Sequence, residues 1–101
     1  LYVADSEGVV WGIDPQTGET LWNQRALLAR RLSAPAVFDD VVLVGDLEGY
    51  LHVLDHEDGR LIGRKRLDTS PIRTQALVDD SVAYVLSSGG KLIALELKRE
   101  S

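Results

Sequence analysis

A single period governs this 101-residue chain and limits what it can fold into more than any other feature. The stretch "LYVADSEGVVWGID" from Leu1 lies over "VLVGDLEGYLHVLD" from Val42. Asp5 falls on Asp46, Glu7 on Glu48, Gly8 on Gly49, Asp14 on Asp55 and Gly18 on Gly59, all 41 residues apart. A third copy begins at Ala83, "AYVLSSGGKLIALE", where Gly90 matches Gly49 at the same shift. The paired acids Asp39-Asp40 and Asp79-Asp80 recur 40 residues apart. Turn residues and apolar runs therefore repeat together, as in architectures whose units bury their apolar faces on one another.

The content of one period says which architecture. Four short apolar runs occupy Ala34–Phe38, Val41–Gly45, Tyr50–Asp55 and Arg60–Leu67. Asp39-Asp40, Asp46–Gly49 and His56–Gly59 separate them, and these residue types close turns. Runs this short and this rich in Val, Leu and Ile predict strands, and no long segment carries the 3.6-residue period of a helix. Four strands in about 40 residues is the pattern of a propeller blade. Val41–Val44 is apolar on both faces, which suits an inner strand held between neighbouring blades. The fourth run carries Arg60, Arg64, Lys65 and Arg66, as an exposed edge should, because charge there opposes edge-to-edge aggregation.

The chain is thus predicted to be all-β, with blades of four antiparallel strands. Residues 1–25 form a partial blade and 34–67 a complete one. Residues 73–97 form a blade lacking its fourth strand, from runs at Arg73–Val78, Ser81–Ser87 and Lys91–Leu97. That makes about two and a half blades in ten strands. The opening "LYVAD" reads as the inside of a strand, so further chain is expected upstream, and both ends are expected to present apolar faces that a second copy of this stretch or the rest of the protein covers.

Residues 12–22, "GIDPQTGETLW", resemble the tryptophan-docking motif A-x-D-x-x-T-G-x-x-x-W of quinoprotein-type propellers. Asp14 and Thr17 suit the turn, Gly18 supplies a positive φ, and Trp22 is expected to lie flat against the adjoining blade. The alternative is a generic hairpin turn with a core tryptophan. The second copy keeps Asp55 and Gly59 but has Gly63 in the tryptophan place, so packing there must be met otherwise.

The likeness extends through "LLARRLSAP" at Leu27–Pro35, "VGDLEGYLH" at Val44–His52 and "EDGR" at Glu57–Arg60. Over essentially its whole length the chain resembles the last blades of the BamB family, the propeller lipoproteins of the bacterial outer-membrane β-barrel assembly machinery. The resemblance implies an eight-bladed propeller at the periplasmic face of the outer membrane, held by a lipid anchor that this chain lacks. It implies a non-catalytic scaffold that binds the central barrel-assembly protein and assists assembly and insertion of β-barrel proteins, with unfolded outer-membrane proteins as further partners. The other class open to the sequence is a fragment of a quinone-dependent dehydrogenase propeller, which shares the blade motif. Such enzymes hold pyrroloquinoline quinone over calcium with inward acids and amides, often with adjacent cysteines. Here there is no cysteine and one asparagine, Asn23.

No catalytic, cofactor or metal site is expected. His52 and His56 lack a third ligand at usable spacing, and His52 reads as a pore-side or partly buried strand residue. The acidic run Asp55–Asp58 lacks the alternating acids and distal Glu of a calcium loop. No serine sits in a nucleophile elbow, and Gly89-Gly90 precedes no helix that could hold phosphate. The absence of cysteine excludes disulfides, thiolate zinc and thiol catalysis. With 11 Lys and Arg against 16 Asp and Glu, the formal charge of −5 makes nucleic acid an unsuitable partner. No apolar run is long enough for a transmembrane helix.

One segment breaks the strand-turn rhythm. Residues 25–32 join two blades and read as a connector, with one helical turn and with Leu28 and Leu32 packed on blade edges. The alternative is an interaction loop in which Arg25, Arg30 and Arg31 present donors to a partner. Asp46, Glu48, Asp55 and Glu57 read as solvated turn acids, with a partner face as the other possibility.

Overall fold

Ten short strands alternate with tight turns in the computed structural model, which describes residues 1–79 and 81–96. They are β1 (Tyr2–Ala4), β2 (Val10–Ile13), β3 (Thr20–Gln24), β4 (Ala36–Phe38), β5 (Val41–Gly45), β6 (Tyr50–Asp55), β7 (Leu61–Arg66), β8 (Leu77–Asp79), β9 (Val82–Leu86) and β10 (Leu92–Glu96). Three antiparallel sheets result, ordered β1-β2-β3, β4-β5-β6-β7 and β8-β9-β10. The chain is all-β and propeller-like, and its described residues contain no helix. Asp80 and Leu97, which fall in an expected turn and an expected strand, lie outside the described residues.

The 41-residue period is visible in the backbone. Gly8, Gly49 and Gly90 share a left-handed conformation, with φ of 94°, 88° and 90°. Each closes the turn between the strands equivalent to β5 and β6, where a side chain would strain the backbone. The registers also repeat. A bulge falls between Gly12 and Ile13 in the β2–β3 pair and between Val53 and Leu54 in β6–β7. Those are the same positions one period apart.

Burial follows strand alternation. All five residues of β5 are buried, and successive side chains point to opposite faces. Val42 and Val44 join Val10, Trp22, Leu27 and Leu54 in a core shared with the first sheet. Val41 and Leu43 join Leu51, Phe38, Ala83 and Val85 in a core shared with the third. The second sheet is therefore sandwiched between two neighbours, as an inner blade is in a propeller.

The connector differs from its expected form. Leu28 N–H donates to Arg25 O at 3.2 Å and Arg30 N–H to Leu27 O at 3.1 Å, closing turns without a helix. Ala29 takes a φ of 67°, which no helix continues through. Leu27, 3% exposed, enters the core, whereas Leu28 is 48% exposed. Leu32 is half-buried against the same core and forms an isolated bridge with Asp46. The third sheet opens later than expected, at Leu77, because Arg73–Ala76 make no ladder.

Candidate functional site

The turn Asp14–Gly18 is built by its own side chains. Asp14 Oδ1 accepts Gln16 N–H at 2.8 Å, Gly18 N–H donates to Asp14 O at 2.8 Å, and Thr17 Oγ1 accepts Glu19 N–H at 3.2 Å. The same loop recurs one period later, where Asp55 Oδ1 accepts Glu57 N–H at 2.8 Å and Gly59 N–H donates to Asp55 O at 2.9 Å. Gly18 and Gly59 both sit at a φ of 74°.

Trp22 joins the two blades. It is 8% exposed, and its Nε1–H donates to His56 O at 3.1 Å. Its ring covers Gly59, where an added Cβ would overlap the indole. Tyr2 leans on it with centroids 5.8 Å apart and donates to the same His56 carbonyl at 3.3 Å. Gln24 Nε2 reaches Gly59 O at 2.9 Å. One aromatic pair and three donors thus tie the first sheet to the second sheet's turn.

Asp46, an acid in a glycine-containing turn, is fully buried. It is a correction to the reading of the turn acids as solvated. Asp46 Oδ1 accepts Glu48 N–H at 2.9 Å and Tyr50 N–H at 3.0 Å. Its Oδ2 accepts His52 Nε2–H at 2.7 Å and Arg30 Nη1–H at 2.8 Å. Burial alone would raise its carboxyl, but the donors of His52, Tyr50, Arg30 and Glu48 outweigh that and hold it below the usual carboxylate range. The first sheet has the same device. Asp5 Oδ1 accepts Glu7 and Val9 N–H, and its Oδ2 accepts Trp11 Nε1–H at 2.9 Å. The Trp11 indole and then the Val9 amide lower the Asp5 carboxyl. In the third sheet Ser87 takes the place, accepting Lys91 N–H and donating to Asp68. A side chain from each connector therefore reaches the next blade's turn, Arg30 to Asp46 and Asp68 to Ser87.

The three connector arginines consequently differ. Arg30 is half-buried and bound to Asp46, and Glu48 Oε2 lies 3.5 Å from the same Nη1. Arg25 and Arg31 are exposed. His52 is 1% exposed and lies inside the blade, and its Nδ1 makes no hydrogen bond among the described residues. His56 Nδ1 lies 2.6 Å from Asp40 O. Among the described residues no group of three or more His, Asp or Glu is placed to hold a metal ion. Beside Arg30 a cleft of about 470 Å³ opens between the connector and β7, lined by Leu27, His52, Leu61, Ile62 and Arg64. Three guanidinium groups stand over the Tyr50 ring there, those of Arg30, Arg64 and Arg66, at 5.7, 5.4 and 5.4 Å from its centroid. The Tyr50–Arg cluster escaped sequence reasoning, although Asp5/Trp11 and Asp46/His52 share one spacing and signalled a donor aimed back at the turn acid.

Comparison with known proteins gives a consistent likeness. The family described as outer membrane protein assembly factor BamB matches residues 6–99. A relative of that name in Pseudomonas aeruginosa is 48% identical over 98 residues, covering 97% of this chain and 26% of its own length. The crystal structure of BamB from Moraxella catarrhalis superposes with a TM-score of 0.87 at 27% identity, over 95% of this chain and 28% of that one. A quinohemoprotein alcohol dehydrogenase from Comamonas testosteroni superposes with a TM-score of 0.76 at 21% identity, over 94% of this chain and 17% of that one, which is a likeness of fold alone. The chain spans about a quarter of the length of the curated relatives it matches.

Proposed function

Since the chain belongs to the BamB family of outer membrane protein assembly factors, we propose that it forms consecutive blades of a non-catalytic scaffold. The scaffold binds the central barrel-assembly protein at the periplasmic face of the outer membrane and assists assembly and insertion of β-barrel proteins. The observation that carries this reading is the family match over nearly the whole chain. The chemistry of the described residues agrees with it. The buried polar side chains Ser33, Asp46 and Ser87 are spent on turns and inter-blade straps, which build a rigid surface. Arg25 and Arg31 project from the connector into solvent, where guanidinium groups can fork onto a partner's carboxylates.

A pull-down of the barrel-assembly subunit by the full-length protein tests the reading. Arg25→Ala with Arg31→Ala is expected to lower recovery at an unchanged melting temperature, because neither side chain supports the fold. Arg30→Ala should lower the melting temperature instead. Failure of the full-length protein to retain the subunit would overturn the scaffold reading. Unchanged recovery by the double variant would move the contact away from the connector.

A further inference from the structure

Tyr50, His52 and Leu54 alternate along β6 and share the face turned to the first sheet, and their cross-strand partners Arg66 and Arg64 share it with them. We propose that this face of β7, with the cleft beside the connector, docks an extended acidic peptide segment of a protein partner. The segment would place carboxylates on Arg64 and Arg66 and an apolar side chain against Leu61 and Ile62.

Charge complementarity carries the choice of occupant. Three like charges crowd one tyrosine ring in a chain whose net charge is −5. Arg30 is balanced by Asp46 and Glu48. Arg64 and Arg66 have no ion-pair partner among the described residues, and both are exposed. Their guanidinium forks match carboxylates in two-point fashion. Ile62, 47% exposed, and the half-buried Leu61 give the cleft an apolar wall beside those charges.

One further feature points to a peptide rather than a bare anion. In the described sheets β7 is hydrogen-bonded to β6 alone, so its outer edge offers backbone donors and acceptors to an added strand. A peptide backbone supplies N–H donors and its side chains supply carboxylates, whereas a phosphate satisfies the arginines alone. The inference rests on the reading of the chain as a protein-binding scaffold but not on which partner that scaffold serves.

Fluorescence anisotropy of the full-length protein with a labelled peptide rich in leucine and glutamate is the test. Its leucine–glutamine counterpart, heparin and anionic lipid vesicles serve as comparisons. The glutamate peptide should bind, and Arg64→Gln with Arg66→Gln should weaken it about tenfold or more at an unchanged melting temperature. The glutamine peptide should bind at least about tenfold more weakly than the glutamate peptide. No binding of the glutamate peptide, or binding indifferent to both substitutions, would overturn the proposal and leave the arginines as edge protection. Tighter binding of heparin or vesicles through the same two arginines would overturn it as well. Retention of the assembly subunit without peptide binding would sink this docking site while the scaffold reading stands.

Discussion

Asp46 shows how one residue type serves two ends depending on where the chain puts it. An acid in a Gly-containing turn is ordinarily solvated, and Glu48, two residues on, is so placed. Asp46 is instead closed off by the connector crossing over it, and four donors converge on its two oxygens. Those donors favour the ionised form and keep its carboxyl below the usual range. A carboxyl with a depressed native value adds stability that is complete above the unfolded value of about 4. That stability disappears as the pH falls through the native value. We therefore predict that Asp46→Asn lowers the melting temperature at neutral pH and flattens the acid limb below about pH 4, where the two proteins converge. Thermal melts of full-length protein across that range check this. Parallel curves at all pH values would assign the role to shape rather than charge.

Between elements, the blades are joined by a ring laid over a glycine. Trp22 lies on Gly59 and donates to His56 O, so the two positions act as one unit. Trp22→Ala should cost about 3–5 kcal/mol of folding stability through lost burial and the cavity left behind. Gly59→Ala should cost more than about 1 kcal/mol, because a Cβ at a φ of 74° is strained and meets the indole. Removing the ring removes the overlap, so the double variant should cost less than the sum. Denaturant melts of the four proteins would show it, and strict additivity would mean that the ring and the glycine do not meet.

This element-level arrangement was legible in part. The strands of the second sheet could be read because apolar runs and turn residues alternate at 41-residue spacing, and β5 announced its two-sided burial as an unbroken Val-Val-Leu-Val run. The connector could not be read so well. It has no periodicity, so nothing distinguished Leu27 from Leu28 until Ala29 turned left-handed and sent Leu27 inward. The start of β8 was obscured for a related reason, since Arg73–Ala76 lack the ladder partners that propensity cannot foresee. The Asp46–His52–Arg30 cluster needs three segments brought together, and only the six-residue spacing from Asp46 to His52 was printed in the chain.

At the scale of the whole molecule, each sheet is three or four strands whose faces are apolar on both sides, so a single sheet cannot bury what it carries. The second sheet meets both neighbours through separate cores, and the straps Arg30–Asp46 and Asp68–Ser87 fix the spacing between blades. Such an assembly is stiff and presents its connectors and outer strands at fixed positions, which suits a scaffold that holds other proteins in register. The role proposed for the full-length protein is to serve β-barrel assembly without chemistry of its own. It is tested most directly by the rate at which a β-barrel substrate folds into proteoliposomes that hold the purified assembly machinery, with and without the full-length protein. The account predicts that omission slows folding and that adding the protein back restores it with no quinone or calcium supplied. A folding rate indifferent to the protein, at a concentration where it is retained by the machinery, would contradict the account.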